Sequence, residues 1–240
     1  MASTYLTYTP SGSTNQNKWT FSAWVKRSSF GEQIITSVLE DSTFNTELKF
    51  DGDNTLVFKD TRSGNANGEI VTTAQYRDVG GWYHIVVVFD KDNSTSADKT
   101  QMYVNGERVA GSNLGTYTAA YSGSTYGTTS HPILVGFRTG GSAYFDGLMS
   151  HIHYCVGYAY DASYFGFTDA TTGEWQINTS PSVTYGTNGF FILKDGNSVT
   201  DASPNSNNFT VGGGTLTKTE DNPSNVFATL NPLDKYYGHI

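Results

Sequence analysis

Nine residues, Trp82-Tyr-His-Ile-Val-Val-Val-Phe-Asp90, constrain this chain more than any others. Read with the two-residue alternation of a strand, they place Tyr83, Ile85, Val87 and Phe89 on one face and Trp82, Val86 and Val88 on the other. A strand that is apolar on both faces has no side to offer to water. It belongs at the centre of a sheet, either packed on two sides or strongly curved.

The flanking segments supply the rest of a sheet. In Trp19 to Lys26 the odd positions Trp19, Phe21, Ala23 and Val25 are apolar, and the even ones are polar except Trp24, which reads as a half-buried strand with one aromatic outlier. Glu47–Phe50 and Thr55–Lys59 flank Asp51-Gly-Asp-Asn54, residues that tolerate positive φ and cap their own backbone, so a hairpin is predicted. Met102–Val104 and Glu107–Val109 flank Asn105-Gly106, the pair that supplies positive φ at both centres of a type I′ turn. Pro132–Gly136, Gly147–Val156 and Gly189–Lys194 are further strands, and Asp161 caps one helical turn over Ala162–Phe165.

Composition agrees with strands and turns: 26 Gly, 16 Tyr and 14 Phe stand in a chain of which 15% is charged. A length of 240 residues suits one all-β domain. The 14 Lys and Arg against 22 Asp and Glu give a net charge of -8, which repels phosphate backbones, so nucleic acid is not an expected partner. No apolar run reaches the roughly 18 residues that a membrane-spanning helix needs, and the first residues lack the basic and apolar regions of a secretory signal. A soluble protein with no membrane insertion is expected. The lone Cys155 lies in an apolar run and reads as a small buried hydrophobe.

The ordered motifs WTFSAWVK, WYHIVVVFD, MYVNGERV, ILVG and FDGLMSHIHY, residues 19 to 156, resemble the laminin-G-like, concanavalin A-like family. The segments ASYFGFTDATTGEW, YGTNGFFILKD, ASPNSNNFTV and DNPSNVFATLNPLD are similar to segments that accompany this sandwich in virion proteins of tailed bacteriophages. The resemblance implies an all-β, two-sheet antiparallel jelly-roll sandwich over residues 1–200. Residues 201–240 would form an extended Asn/Gly/Pro-rich arm or linker that lies on a surface or leads elsewhere. It also implies ligands held in end loops or on the concave face. Relatives place an acidic residue after F-D-G-x-[IL], where this chain has Ser150 and His151.

No catalytic residue is assigned: the seven glutamates are scattered, without the E-x-D-x-x-E spacing of carboxylate pairs that hydrolyse glycans. No metal ligand is assigned either. His151, His153 and Cys155 alternate, hence fall on one face, but lack a fourth ligand. Asp51, Asp53 and Asn54, or Asp90, Asp92 and Asn93, offer oxygens to Ca²⁺, although turns use these residues for backbone reasons alone. The stretch between Gly111 and Ser130 lacks periodicity and reads as a loop or weak edge strand. Its Tyr117, Tyr121 and Tyr126 are the expected carbohydrate- or partner-binding residues, since loop rings stack on sugars while their hydroxyls hydrogen-bond.

Together these features imply a non-enzymatic virion-surface protein, made in the host cytoplasm. It is a lectin-like module of a tail or head fibre that attaches to a host-surface glycan, or else a capsid decoration subunit with no sugar ligand. Its expected partners are other capsid or tail proteins and further copies of itself, for example in a trimer.

Overall fold

The apolar alternation is realised in sixteen strands. The computed structural model describes residues 3–12, 15–39, 41, 43–112, 123–129, 131–194 and 196–224. The strands are β1 (Tyr5–Tyr8), β2 (Lys18–Arg27), β3 (Gln33–Leu39), β4 (Asn45–Phe50), β5 (Thr55–Arg62), β6 (Asn65–Gln75), β7 (Tyr83–Asp90) and β8 (Thr100–Val104). They continue with β9 (Glu107–Arg108), β10 (Gly111–Ser112), β11 (Ile133–Val135), β12 (Gly147–Val156), β13 (Gly166–Thr168), β14 (Trp175–Ile177), β15 (Phe190–Ile192) and β16 (Thr210–Gly213). One antiparallel sheet runs β10-β6-β5-β4-β3-β11-β1-β16, the other β15-β12-β2-β7-β8-β9, and β13-β14 is a separate hairpin.

The two large sheets face each other as a sandwich. Trp19, Phe21 and Val25 of β2, Ile85, Val87 and Phe89 of β7, and Ile152 and Tyr154 of β12 meet Leu48, Phe50, Leu56, Phe58, Ile133 and Val135 of the larger sheet. Trp19 organises this core, stacked on Phe89 at 5.5 Å and 11° and edge-on to Phe58 at 5.7 Å. At one end of the interior, the buried Asp60 carboxylate accepts hydrogen bonds from Thr46, from Asn67, from Ser124 Oγ at 2.8 Å and from Thr125 N at 3.0 Å. Burial pushes that carboxyl above the ordinary Asp range, against those donors.

The six-stranded sheet is covered on its second face too. Val86, Val88, Cys155 and Phe191 pack there under Ala162, Phe165 and Tyr185, with Tyr103, Tyr160 and Trp175 alongside. Residues from about 158 to 188 therefore form a third layer, which is why residues 82–90 are apolar on both faces. Asp161 Oδ1 accepts from Ser163 N at 2.9 Å and starts the single turn over Ala162–Tyr164, as its sequence predicts.

The hairpin at Asn105-Gly106 forms with φ of 49° and 84°. Gly106 does more than turn the chain: a Cβ there would overlap the Trp175 ring, so the third layer docks on the bare turn. The Asp51–Asn54 loop joins β4 to β5 in the expected pairing, with Asn54 at φ 69°. The buried Arg27 fastens that loop, donating to Asn54 Oδ1 at 3.2 Å and Tyr76 O at 2.8 Å while lying over the Phe50 ring.

The stretch assigned to an extended arm begins on the sandwich. Asp201 Oδ1 accepts from Phe191 N at 2.8 Å and Ser203 N at 2.8 Å, and its Oδ2 accepts from Asn207 N at 2.8 Å. The Asn207 amide in turn donates to Gly189 O at 2.8 Å and Thr187 O at 3.0 Å, so S-P-N-S-N-N is a staple over the edge of β15. Phe209 then enters the core and β16 pairs with β1, some 200 residues upstream.

Gly106→Ala is expected to cost about 2–4 kcal/mol, combining left-handed strain with overpacking against Trp175. Gly52→Ala, with nothing within 4 Å of where its Cβ would lie and no positive φ, stays within roughly 0.5 kcal/mol of the parent. Urea unfolding of the two variants measures the difference; equal effects would contradict the docking role of the turn.

Candidate functional site

His84 sits at the contact between sheet and third layer. Its outward ring lies between Trp24 at 4.8 Å and Trp175 at 5.9 Å, both within 18° of parallel. This explains Trp24, the aromatic outlier of β2. Trp175 Nε1 donates to His84 Nδ1 at 3.0 Å, which leaves the imidazole proton on Nε2, 2.9 Å from Ser22 Oγ. Complete burial pushes His84 down to about 3, so the ring is neutral and structural.

The rings of His151 and His153 both lie against Phe191, at 5.6 and 3.9 Å, although the strand between them is irregular. A bulge between Ser150 and His153 makes His151 an extra residue at φ 47°, opposite Ala23. His151 Nδ1 lies 2.8 Å from Ser150 Oγ, whereas His153 stacks on Phe191 at 3.9 Å with its Nδ1 2.9 Å from Tyr185 OH. Cys155 is buried, and burial raises its thiol pKa. Among the described residues no three His, Cys, Asp or Glu side chains are grouped to hold a metal ion.

Oxygens of both candidate Ca²⁺ sets are engaged within the protein. Asp53 Oδ1 accepts from Thr55 N at 2.9 Å and Thr55 Oγ1 at 2.7 Å, and Asn54 Oδ1 is held by Arg27. Asp90 pairs with Lys18 at 3.1 Å, and Asn93 Oδ1 accepts from Thr95 N at 2.9 Å. Asp53 and Asn93 cap turns, and Asn54 and Asp90 are held by cations.

Tyr126 is corrected from a binding residue to a core residue. It is 1% exposed, it packs against Trp19, Phe21 and Tyr154, and its hydroxyl lies 2.8 Å from Thr36 Oγ1. Residues 123–126 pass inside the sandwich because Asp60 and Arg62 bind their backbone, a contact that the Gly/Ser/Thr composition of the stretch conceals. Tyr117 and Tyr121 lie outside the described residues. Exposed rings occur elsewhere, at Tyr158 (40%), Tyr164 (42%) and Phe167 (49%). Tyr158 stacks on Tyr160 at 5.5 Å, and Tyr160 lies 4.5 Å from Tyr164.

The concavity lies at the F-D-G end of the sandwich. After β16 the chain leaves the larger sheet and crosses to the other. There Asp221 accepts from Lys26 Nζ at 2.7 Å and from Trp82 Nε1 at 2.9 Å. Partial burial opposes ionisation of Asp221, but these donors hold its pKa below the ordinary Asp value. The strap 215–224 thus roofs a cleft of about 390 Å³. Its floor is apolar, with Leu6, Val135, Phe145 and Met149, and its rim carries Asp146, Lys194, Lys218 and Asn222. An apolar floor with a few polar groups around it suits a small polar ring. The F-D-G motif forms part of the wall: Gly147 has φ 154°, and a Cβ there would collide with Lys26 O. The cleft escapes sequence reading because its walls come from residues 4–6, 135–136, 145–150, 193–194 and 196, and from the strap.

Residues 1–154 match the family described as the concanavalin A-like lectin/glucanases superfamily, and the chain belongs to it. No curated protein matches the chain. Among solved structures, it is similar to a native heptameric SAP-like pentraxin from Limulus polyphemus, with 14% identity over 90% of this chain and 91% of that one, at a TM-score of 0.49. It is also similar to domains LG4-5 of the mouse laminin alpha1 chain, with 18% identity over 65% of this chain and 40% of that one, at 0.48. The enzymatically active domain of tailspike protein 2 from bacteriophage CBA120 shares 12% identity over 67% of this chain and 25% of that one, at 0.47.

Because the folded His84 pKa lies below the unfolded value of about 6.5, its stabilising contribution is complete above pH 6.5 and is lost as pH falls toward 3, by about 2 kcal/mol at pH 5. Urea unfolding from pH 7.5 to 5 should show this slope, and His84→Gln should reduce it; an unchanged slope contradicts the buried neutral ring. Asp221→Ala should release the strap. Trypsin would then cleave after Lys218 severalfold faster, with global stability within roughly 0.5 kcal/mol of the parent. Unaltered cleavage contradicts the latch.

Proposed function

We propose that this member of the concanavalin A-like lectin/glucanase superfamily is a carbohydrate-binding module on the surface of a tailed-bacteriophage virion, where it mediates host attachment. The observation that carries the binding reading is the strap-roofed cleft, a concave site whose apolar floor takes the face of a sugar ring while rim groups bind its hydroxyls. The virion setting is supported by the sequence resemblance of the segments after residue 160. The described parts of those segments contribute to the third layer, the Asn-rich staple and the end of the strap that carries Asp221.

Binding is favoured over hydrolysis on electrostatic grounds. Glycoside cleavage needs a carboxylic acid with a raised pKa in reach of the substrate and a second carboxylate beside it. Among the described residues, Asp60, whose carboxyl burial raises, is sealed inside the sandwich. Glu47 is tied to Arg138 at 2.5 Å. Repetition of the module over many copies, in a homo-oligomer such as a trimer, would convert weak contacts into tight attachment.

The exposed rings of Tyr158, Tyr164 and Phe167 favour a second reading, a decoration or fibre subunit whose third layer packs on a neighbouring virion protein. The two readings separate by mutation. Thr217→Trp, which fills the cleft from an exposed position, should abolish retention on a glycan array while Tyr158→Ser/Tyr164→Ser leaves it intact. If Thr217→Trp binds normally and the tyrosine variant fails to enter particles, the assembly reading replaces the lectin reading.

A further inference from the structure

We infer that the cleft is built for an acidic saccharide, one that carries a carboxylate or sulfate; this rests on the reading of the cleft as the carbohydrate site. The acidic side chains of its wall are already engaged. Asp146 Oδ2 accepts from Ser29 Oγ at 2.8 Å, and Asp221 is shared between Lys26 and Trp82. Both cations of the rim differ from five other cations of the molecule. Lys18, Lys26, Lys49, Arg108 and Arg138 all form ion pairs. Lys194 and Lys218 line the cleft and have no carboxylate partner among the described residues.

The segments that carry the two lysines meet in the fold. Gly196, two residues after Lys194, packs so closely on Lys218 that an added Cβ would lie 2.8 Å from Lys218 Cδ and 2.8 Å from its Cγ. The stem of Lys218 therefore lies on the turn that carries Lys194, whose ammonium is 5.9 Å from the Phe191 ring. Like charges on adjacent segments repel, and in a chain of net charge -8 an anion between them removes that repulsion without competing with a built-in carboxylate. The apolar floor holds the ring and Thr217 adds a hydroxyl partner for a sugar, whereas Thr4, Thr219 and Asn222 already bond to Thr215, Asp221, Glu220 and Ser224. An acidic sugar satisfies both halves of the site at once.

The test is titration calorimetry of the full chain with four probes: a uronic-acid oligosaccharide, a sulfated oligosaccharide, a neutral oligosaccharide of equal length, and sodium sulfate alone. One or both acidic saccharides should bind, and the two acidic probes identify which group is read. The neutral probe should bind at least about tenfold more weakly. Affinity should fall with rising salt, be lost in Lys194→Ala/Lys218→Ala, and be retained in Lys194→Arg/Lys218→Arg. Both substitutions are on exposed side chains, and an unchanged unfolding midpoint confirms that the variants fold. Equal binding of neutral and acidic probes, or binding that survives the alanine pair, overturns the inference and leaves the cleft as a neutral-sugar site. Binding of sulfate alone with no saccharide preference also overturns it. Failure of every saccharide overturns this inference and the lectin reading together.

Discussion

Double burial of the β2–β7 strand pair is the constraint on which the rest of the structure depends. One face, Trp19, Phe21, Ile85, Val87 and Phe89, meets the opposing sheet, as in any two-layer sandwich. The other face carries Trp24, Val86 and Val88, which would be left in water unless something covered them. The chain answers with residues from about 158 to 188, docked where Trp175 lies on Gly106 and Gly166 and donates to His84. Once that layer is in place, the following segments are delivered to the edge of β15. Asp201 and the asparagines after it fasten them there, and the chain can cross back to β1 as β16. The strap and the cleft beneath it are the last consequence of covering one strand pair twice.

What was legible in the sequence follows from how local each cause is. β2, β7, β12 and the two hairpins announce themselves through alternation and through Asn105-Gly106 and Asp51–Asn54, whose signals lie within a few residues. β3 is hidden because a bulge at Ile35 breaks its period, and β6 because Asn65–Gly68 reads as a turn. β16 is invisible, since Thr210–Gly213 has one apolar side chain and becomes a strand only by pairing with β1. The short turn at Ser96–Asp98 has no buried residue to mark it. The same distinction explains the site. A loop composition drew attention to Tyr126, but the buried Asp60 and Thr36 and the half-buried Arg62 that pull this stretch inward lie 60 to 90 residues away.

The motifs that carry the family resemblance are, in this fold, statements about packing. His84 of W-Y-H-I is a neutral ring between two tryptophans, Y-V-N-G is a turn shaped to receive Trp175, and the glycine of F-D-G allows two backbones to touch. Of these motifs F-D-G alone borders the cleft, so the same scaffold can serve different chemistry at its loops and edges. The ligand chemistry of this chain is set by what closes the open end of the sandwich. There the strap lays the stem of Lys218 on the turn that carries Lys194, in a chain of net charge -8.

The central claim, that the strap-roofed cleft is where this molecule meets its ligand, is tested most directly by a crystal structure of the full chain with the tightest-binding saccharide. The account predicts a sugar ring on Phe145 and Met149, with its acidic group between Lys194 and Lys218. A saccharide seated on the Tyr158–Tyr164 surface or on the outer face of the larger sheet, with the cleft holding only water, would contradict it.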